Sequence, residues 1–265
     1  MNAQPMTRRT ALVTGASSGI GLELARLLGA DGYDLVTVAR RRDRLEQLAD
    51  TLSMHPIRVH RFEKDLSVPQ AASELWAELT RQGIAVDILI NNAGTGVYGL
   101  FAEQDEDAVA RMLQLNVTAL TMLTRLALPG MLARRWGRIL NVASLAAFQP
   151  GGPRMAAYYA SKSYVLSFSK GLAAELRGTG VSVTALCPGP SPTGFEESAG
   201  AARTRLYRWV PSAGAPAVAR AGHRALMRRS SVAVPGLTAK VFAFAGELPP
   251  RRIALEVNRF LLREV

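Results

Sequence analysis

Short, nearly continuous apolar runs alternate along this chain with longer stretches in which apolar residues recur every three or four positions. The first pattern is typical of strands buried on both faces, and the second of amphipathic helices. Seven strands are predicted, at residues 9–14, 34–39, 57–62, 86–90, 137–143, 181–186 and 231–235. Strands that alternate with helices in this way form a parallel sheet covered on both faces, so the pattern predicts a doubly wound α/β fold.

Two of the predicted helices stand out by length and polarity. One covers 103–128 and is interrupted by Asn116, a polar residue that needs hydrogen-bond partners if it is buried. The other runs from about 155 to 177.

The last quarter of the chain departs from the regular alternation. Residues 190–216 are rich in Gly, Ala, Pro and Arg and have no clean period, which predicts a flap with a short helix near 203–209. Two apolar-basic segments follow the last strand and form an extension at about 237–265. Because we find neither an internal repeat nor a linker, we expect residues 1–265 to form a single domain.

Composition indicates a reducing cellular compartment and argues against a membrane-spanning segment. A hydrophobic fraction of 48% and a charged fraction of 20% describe a globular protein that can bury a core. The single cysteine, Cys187, cannot form an internal disulfide, which favours a reducing compartment, and we expect a cytoplasmic protein. Residues 1–9 lack the apolar core of a signal peptide, and eighteen apolar residues never follow one another, so no membrane-spanning segment is predicted.

The positive charge is concentrated in the last quarter of the chain. The formal net charge is +11, and residues 201–265 contain twelve Arg or Lys but three Glu, which gives this segment +9. Of the 32 basic residues 28 are arginine, a bias that base composition alone can produce. We interpret the segment as a solvated basic face, with an anionic membrane surface or an acidic carrier as alternatives. Nucleic-acid binding is not expected, because no recognised motif accompanies the charge.

A glycine-rich turn separates the first strand from the first helix. It contains Gly15, Ser17, Ser18, Gly19, Ile20 and Gly21. Glycines allow the backbone to approach phosphate groups closely, and the helix N-terminus offers unpaired N–H groups and the positive end of its dipole. The turn therefore predicts a binding site for the pyrophosphate of a dinucleotide.

Basic residues follow the second strand. Folds that bind NAD place an acidic residue here to accept a hydrogen bond from the ribose 2′-hydroxyl. Arg40 and Arg41 stand at this position instead, and a guanidinium pairs with a 2′-phosphate. We therefore expect NADP(H) as cofactor, although the arginines would also suit the solvated start of the next helix.

A phenol and an ammonium lie four residues apart in the helix predicted at 155–177. At this spacing Tyr158 and Lys162 share one helix face. A tyrosine has a pKa of roughly 10, and a nearby positive charge lowers it towards the working range of a proton donor. Tyr159 is three residues from Lys162 and could reach the same face, so spacing alone does not decide between the two tyrosines.

Together these motifs resemble the short-chain dehydrogenase/reductase family. The resemblance covers about residues 9–193 and rests on Thr14-Gly15-x-x-x-Gly19-Ile20-Gly21, Asn91-Asn92-Ala93-Gly94, Asn116, Ser144, Tyr158-x-x-x-Lys162 and Pro188-Gly189-x-x-x-Thr193, in the family's order and spacing. It implies a Rossmann-type fold with a seven-stranded parallel sheet. It also implies hydride transfer between NADP(H) and a carbonyl or secondary alcohol.

The resemblance assigns four catalytic roles and decides between the tyrosines. Tyr158 would protonate the developing alkoxide, and Lys162 would lower the pKa of Tyr158 and hold the nicotinamide ribose. Ser144 would hydrogen-bond the substrate oxygen, and Asn116 would hold a water that connects Lys162 to solvent.

The same resemblance implies cofactor contacts beyond the glycine turn. Asp65 and Leu66 would lie against the adenine, Asn91 near the adenosine ribose, and Thr193 near the carboxamide or the phosphates. Tyr158 and Lys162 would contact the cofactor as well as the substrate. The remaining implied cofactor-binding residues are Ala93, Gly94, Pro188 and Gly189.

The extension sets this chain apart from the family's common pattern, in which the chain stops soon after the seventh strand. It is similar instead to a bacterial subgroup described as DltE-like or acyl-reductase-like. A homodimer through the helices at 103–128 and 155–177 is expected, with a tetramer as an alternative. The extension itself is expected to pack on the sheet or on a partner. Its mixture of apolar and basic residues keeps a second hypothesis open, a regulatory or membrane-surface protein that has retained the cofactor site.

The substrate and metal expectations are less specific. Apolar residues near the predicted sheet edge suggest an apolar ketone, aldehyde or acyl compound as substrate: Val97, Tyr98, Leu145, Ala146 and Phe195. The three histidines, at 55, 60 and 223, have no ligand spacing, so no metal site is expected. Cys187 is expected to be a buried residue at the end of the sixth strand.

Overall fold

The computed structural model describes residues 8–191, 194–210, 213–248 and 250–264. Within these residues, seven strands form one parallel sheet in the order β3-β2-β1-β4-β5-β6-β7. The strands are β1 Thr10–Thr14, β2 Asp34–Ala39, β3 Val59–Glu63, β4 Ile88–Asn91, β5 Gly137–Val142, β6 Val181–Leu186 and β7 Val232–Ala233. The doubly wound fold predicted from the alternation of patterns is confirmed, as is the Rossmann-type seven-stranded sheet that the family resemblance implies.

Helices connect the strands and extend beyond the last one. They are α1 Gly19–Ala30, α2 Arg42–Leu52, α3 Ala71–Arg81, α4 Glu106–Leu113, α5 Leu120–Ala133, α6 Ala156–Glu175, α7 Phe195–Ser198, α8 Arg205–Trp209, α9 Ala215–Met227, α10 Leu237–Glu247 and α11 Arg251–Leu261. A π-helical segment, Gln114–Ala119, joins α4 to α5, so that one continuous helix runs from Glu106 to Ala133.

The sheet is covered on both faces because its strands alternate their side chains between two cores. Ala11 and Val13 of β1 pack with α1, α2 and α9 on one face. Leu12, between them, packs with α3, α5 and α6 on the other. Burying a leucine of this kind stabilises the fold by about 1.5–3 kcal/mol, so both helix layers are firmly held against the strands.

The structure changes the boundaries of two predicted elements for identifiable reasons. The sequence pattern predicts a helix over 67–82, but helix α3 begins at Ala71, because the Asp65 carboxylate accepts hydrogen bonds from both the backbone N–H and the hydroxyl of Ser67 and forms a turn. The long helix begins at Glu106, where Asp105 caps it by accepting from the Ala108 N–H. It then continues past the expected end at 128.

By length and mean hydropathy alone, the continuous helix Glu106–Ala133 could cross a membrane. Core helices of globular proteins meet the same criterion. This one packs against α3, β4 and β5, with Leu123 and Met131 fully buried in the core on that face of the sheet and Met112 fully buried in a smaller cluster that includes Tyr158. Its position is that of a helix covering a sheet.

The extension packs against the loops that follow β4 and β5. Asn258 Nδ2 donates to the Gly151 carbonyl at 2.7 Å, and the Tyr98 hydroxyl donates to the Leu262 carbonyl at 2.6 Å. Gln149 Nε2 donates to the Phe242 carbonyl at 2.9 Å. The extension therefore lies over the carboxyl edge of the sheet.

The turn that joins α6 to β6 offers a matched test of local packing. Gly178 and Gly180 both have positive φ, at 79° and 89°. A Cβ at Gly178 would meet no described heavy atom within 4 Å, whereas a Cβ at Gly180 would clash with the backbone carbonyl of Arg135. We expect Gly178→Ala to lower the free energy of unfolding by about 1 kcal/mol, and Gly180→Ala by about 3 kcal/mol because a backbone carbonyl cannot move aside. Urea denaturation of both variants measures the difference, and equal losses would contradict it.

Candidate active site

A cleft of about 990 Å³ opens at the carboxyl edge of the sheet. The residues that follow β1, β2, β4, β5 and β6 line it, together with the start of α6. Ligands of open α/β sheets bind at this edge, where the loops of neighbouring strands diverge.

The glycine turn forms one end of the cleft and is clamped to the turn after β4. Asn92 Nδ2 donates to the Thr14 carbonyl at 2.9 Å and to the Gly15 carbonyl at 3.2 Å. The Thr14 hydroxyl in turn accepts from the backbone N–H groups of Asn92 and Ala93, each at 3.0 Å. Sequence reasoning did not assign Asn92 or Thr14 to the site. The Asn92 amide and the Thr14 hydroxyl therefore fix the glycine turn against the turn after β4.

The turn has the form of an anion cradle. Gly15 and Gly19 have positive φ, at 66° and 56°, and a Cβ at Gly15 would lie 2.7 Å from Asn92 Nδ2. Among the described contacts, the Ser18 side chain makes no capping hydrogen bond to α1, and the first turn of α1 carries no acidic residue. The N–H groups at the start of α1 are therefore available to a phosphate.

Gly21 serves the turn without lining the cleft. A Cβ there would clash with the Gly15 carbonyl and with the Asn92 side chain, so the close approach of α1 to the turn requires glycine. The other implied residues of this motif line the cleft: Gly15, Ser17, Ser18, Gly19 and Ile20.

Two arginines border the same end of the cleft. Arg41 Nη2 donates to the Ser17 hydroxyl at 3.2 Å, and Arg40 Nη1 lies 4.0 Å from Asp65 Oδ2. Arg40, Arg41, Asp65 and Leu66 all line the cleft. The positive charges of Arg40 and Arg41 therefore lie at the end of the cleft where the adenosine part of a dinucleotide would bind.

Tyr158 and Lys162 are buried at the centre of the cleft. Lys162 Nζ donates to the Val142 carbonyl at 3.0 Å and lies 5.9 Å from the centre of the Tyr158 ring. Burial lowers the pKa of Lys162 to about 8 and raises the pKa of Tyr158 to about 12. A hydrogen bond with Ser144 opposes the rise at Tyr158. The spacing to Lys162 predicted a lowered pKa for Tyr158, but burial is the larger effect and raises it.

The neighbouring tyrosine has a different environment. Tyr159 packs edge-on against Tyr158 with ring centres 6.2 Å apart, and its ring fills the space where a side chain at Gly152 would lie. Burial raises the pKa of Tyr159 above its usual range, and the charge of the Tyr158 phenolate would raise it further. Ser144 opposes the rise in pKa at Tyr158 but does not contribute to the pKa of Tyr159.

Ser144 is positioned by the turn that follows β5. Its Oγ accepts from the Ala146 N–H at 3.1 Å and caps a short 3-10 turn, Leu145–Phe148. The Leu145 N–H donates to the Pro188 carbonyl at 2.7 Å, which ties this turn to the residues after β6. The Ser144 hydroxyl proton remains available to a group in the cleft.

Asn116 lies beneath the centre of the cleft, in the π-helical segment. Its Oδ1 accepts from the Thr95 N–H at 3.0 Å, and its Nδ2 donates to the Thr95 carbonyl at 2.9 Å and to the Ser161 hydroxyl at 3.2 Å. A π turn inside a helix often marks a functional site. Here it fixes the loop after β4 against the helix that carries Lys162.

The structure does not bring the Asn91 side chain to the cleft. Asn91 Nδ2 donates to Asn141 Oδ1 at 2.9 Å and to the Thr124 hydroxyl at 3.0 Å, deep between β4, β5 and α5. The side chain points away from the expected adenosine ribose because successive residues of a strand face opposite sides, and Asn92 takes the side of the glycine turn. Thr193 lies outside the described residues.

The apolar end of the cleft combines expected and unexpected residues. Val97, Tyr98, Leu145, Ala146 and Phe195 line it, as do Pro188 and Gly189. Sequence reasoning missed the residues that α8, α10 and α11 contribute: Leu206, Tyr207, Phe242, Asn258 and Leu261. The extension therefore forms part of the wall of the pocket.

Outside the cleft, the titratable groups of the described residues show no arrangement typical of a metal site. His223 Nε2 lies 2.7 Å from Asp31 Oδ2, and the described residues contain no group of three or more His, Cys, Asp or Glu side chains suited to a metal. Cys187 is fully buried at the end of β6, and burial raises the pKa of its thiol to about 12.

A family model described as short chain dehydrogenase matches residues 9–204, which include every motif discussed above. The chain belongs to the short-chain dehydrogenase family. Over 182 residues it is 40% identical to a putative ketoacyl reductase of Streptomyces coelicolor, an alignment that covers 68% of this chain and 69% of the relative. It is 36% identical over 183 residues to a short chain dehydrogenase of Pseudocercospora fijiensis, of whose length the chain spans 59%.

Solved structures of short-chain dehydrogenases share the architecture over most of the chain. The enzyme from Sphingobium yanoikuyae, in complex with NADPH, is 33% identical with a TM-score of 0.80 and covers 90% of this chain and 92% of its own. The one from Burkholderia phymatum, in complex with NAD, is 27% identical with a TM-score of 0.79 and covers 91% and 94%. Members this similar bind either nicotinamide cofactor, so family membership alone does not choose between them.

Burial of the Lys162 charge in this short-chain dehydrogenase has a measurable cost. Because the pKa of Lys162 falls from 10.5 to about 8 on folding, the charge destabilises the native chain at pH 7. The penalty shrinks as pH rises from about 8 and is gone above the unfolded pKa of 10.5. We expect Lys162→Met to raise the free energy of unfolding at pH 7 by up to about 3 kcal/mol, and by less at pH 10. Urea denaturation at both pH values measures the effect.

Lys170→Met is the matched control for this experiment. Lys170 is exposed on the same helix, so its replacement changes the net charge equally without relieving a buried charge. Destabilisation by Lys162→Met at pH 7, or an equal gain from Lys170→Met, would contradict the account.

Proposed function

We propose that this protein is an NADP(H)-dependent oxidoreductase that reduces apolar ketones, aldehydes or acyl compounds, or oxidises the corresponding alcohols. The observation that carries the proposal is the arrangement of Tyr158, Lys162 and Ser144 in a single cleft. The other end of that cleft is a glycine cradle bordered by two arginines. A proton donor and a nucleotide cradle in one cleft are the two parts that a carbonyl reductase needs.

The residues present suit a nicotinamide dinucleotide. Besides the cradle, a Cβ at Gly94 would lie 3.2 Å from Asn116 Oδ1 and 3.3 Å from Lys162 Nζ, so a side chain there would fill the centre of the cleft. Bound NADPH would supply the hydride. The residues proposed to hold it are Gly15, Ser17, Ser18, Gly19, Ile20, Arg40, Arg41, Asp65, Leu66, Ala93, Gly94, Tyr158, Lys162, Pro188, Gly189 and Thr193.

Tyr158 is the proposed proton donor of the reduction. As the carbonyl carbon gains a hydride, its oxygen becomes an alkoxide, and the phenolic proton of Tyr158 passes to that oxygen. Ser144 donates its hydroxyl proton in a hydrogen bond to the same oxygen. In the oxidation the proton returns to Tyr158, which then acts as the base.

Lys162 stabilises the phenolate that the transfer leaves behind. With a pKa of about 8 it is mostly protonated at pH 7, and a positive charge in a buried site acts strongly on a neighbouring anion. Asn116 is proposed to hold a water that links Lys162 to solvent. Because its side chain already bonds Thr95 and Ser161, that water would use the main chain of Asn116.

Preference for NADP(H) is proposed on the basis of Arg40 and Arg41. Both residues line the cleft; Arg41 contacts the glycine turn through Ser17, and Arg40 lies beside Asp65. A 2′-phosphate would give these two positive charges a partner of opposite sign. The Sphingobium yanoikuyae relative binds NADPH and the Burkholderia phymatum relative binds NAD, so the two arginines of this chain carry the proposal.

An apolar substrate is proposed from the lining of the cleft around Tyr158. Phe195 packs on the Tyr158 ring with centres 5.2 Å apart, and Met155, Leu206 and Phe242 extend the apolar wall. The Streptomyces coelicolor relative, a putative ketoacyl reductase, supports acyl compounds among the candidates. The test is a panel of apolar ketones, aldehydes and acyl thioesters, with oxidation of NADPH followed and NADH as control. Turnover of none of them would favour the second hypothesis, a regulatory or membrane-surface protein that binds the cofactor.

A cytoplasmic homodimer is the proposed assembly. The long helix and α6 expose apolar side chains that a partner would cover: Leu113, Met122, Leu132 and Tyr164. A tetramer remains the alternative.

Replacement of each tyrosine distinguishes the proton donor from its neighbour. We expect Tyr158→Phe to lower kcat by about a hundredfold or more, because the proton donor is lost, while NADPH binding survives through the other residues of the cleft. Tyr159→Phe is the matched control and should retain most of the activity. Steady-state kinetics with a substrate from the panel, together with a fluorescence titration of NADPH, makes the comparison. Loss of turnover in Tyr159→Phe alone would show that the assignment is wrong.

Replacement of the two arginines tests the cofactor preference. We expect the double variant Arg40→Ala, Arg41→Ala to lower kcat/KM for NADPH by about 10- to 100-fold, as charge-assisted hydrogen bonds to a phosphate are lost. The value for NADH should change little. Arg44→Ala, which removes an exposed charge from α2, is the control. Faster turnover of the unmodified protein with NADH than with NADPH would overturn the preference.

A further inference from the structure

The outward faces of α10 and α11 carry large apolar side chains in solvent. Leu237 is 79% exposed, Phe244 65% and Ile253 64%. Trp209, at the end of α8, adds an aromatic ring that lies 6.0 Å from Phe260. We call this region the tail surface; it consists of Trp209, Leu237, Val241, Phe244, Leu248, Ile253, Val257 and Phe260.

These side chains form stripes at helical spacing. On α10 and just beyond it, the apolar residues are separated by four, three and four positions, and on α11 by four and three positions. Residues with this spacing share one helix face. The opposite faces are already used, since Phe242 of α10 and Asn258 of α11 line the cleft. Packing of the extension on the protein therefore does not account for the stripes.

Arginines lie beside the apolar stripe of α11. Arg252 and Arg259 are seven positions apart and form an arginine stripe on a neighbouring face of the helix, and Arg263 follows just beyond the helix end; all three are exposed. The Arg205 guanidinium lies 4.3 Å from the Phe260 ring centre and 5.2 Å from that of Trp209. The segment that carries the tail surface has a net charge of +9.

This combination of chemistry selects one kind of partner. Apolar stripes this exposed mark an interaction surface on a globular protein. A second copy of the same surface would bring two strongly positive segments together, which is unfavourable. An acidic protein would pair with the arginines but would leave most of the apolar stripe without a matching surface. An anionic lipid bilayer accepts the apolar side chains among its acyl chains and the arginines among its headgroups.

We propose that the tail surface docks the protein on anionic lipid bilayers. The helices would lie in the plane of the interface, with their apolar stripes towards the acyl chains and the arginine stripe of α11 towards the headgroups. Because α10 and α11 also form a wall of the cleft, docking would bring the bilayer next to the pocket. The inference is independent of the reaction proposed above.

Flotation of the full-length protein with vesicles tests the proposal. Vesicles of phosphatidylcholine alone are compared with vesicles of phosphatidylcholine and phosphatidylglycerol, at low and at high salt. We expect binding to the anionic vesicles that weakens with salt, and little binding to the neutral ones. Absence of binding to the anionic vesicles at low salt would overturn the proposal.

Two pairs of variants separate docking from general effects of charge and apolar area. We expect Phe244→Ser with Ile253→Ser, and Arg252→Glu with Arg259→Glu, each to weaken vesicle binding by at least about tenfold. Their controls are Met54→Ser with Val68→Ser, two exposed apolar residues elsewhere, and Arg220→Glu with Arg224→Glu on α9. Thermal unfolding and NADPH binding establish that each variant is folded. Equal losses in the control pairs would contradict a docking surface at the extension.

Two further experiments test whether the tail surface binds a second copy of the chain or an acidic protein instead of a bilayer. If Phe244→Ser with Ile253→Ser dissociates an oligomer of the unmodified protein, the tail surface is an interface between copies. If the protein fails to bind vesicles but binds a purified acyl carrier protein through Arg252 and Arg259, the occupant is an acidic protein. Either result would overturn the lipid proposal.

Discussion

The candidate site depends on the burial of one ammonium group beside one phenol. Lys162 Nζ is held by the Val142 carbonyl at the end of β5, 5.9 Å from the Tyr158 ring centre, and both side chains are almost removed from water. Burial opposes the charged form of each, so the pKa of Lys162 falls and that of Tyr158 rises. The fold therefore spends stability on a charge whose electrostatic effect is strongest where a phenolate would form.

The rest of the architecture fixes the position of this pair relative to the nucleotide cradle. Both lie at the carboxyl edge of one parallel sheet, and polar side chains lock the intervening loops. Asn92 and Thr14 join the glycine turn to the loop after β4, and Asn116 joins that loop to α6. A shift of any of these loops would separate the end of the cleft that suits a dinucleotide from the end that suits proton transfer.

Local patterns in the sequence were sufficient for the sheet, the glycine turn and the spacing of Tyr158 and Lys162, because each is decided by neighbours along the chain. The sequence could not predict that Asn92 holds the glycine turn while Asn91 is buried between β4, β5 and α5, since this depends on which side of the strand each residue faces. The π-helical turn at Asn116 has the same apolar pattern as a regular helix. The role of the extension rests on contacts such as Tyr98 with Leu262, which are 164 positions apart in the sequence.

The central claim is that one cleft joins hydride transfer to proton transfer at a carbonyl group. The most direct measurement is product analysis by mass spectrometry after turnover of an active carbonyl compound with NADPH deuterated at the transferable position of its nicotinamide ring. We expect one deuterium atom on the former carbonyl carbon of the alcohol. Consumption of NADPH without deuterium at that carbon would contradict it.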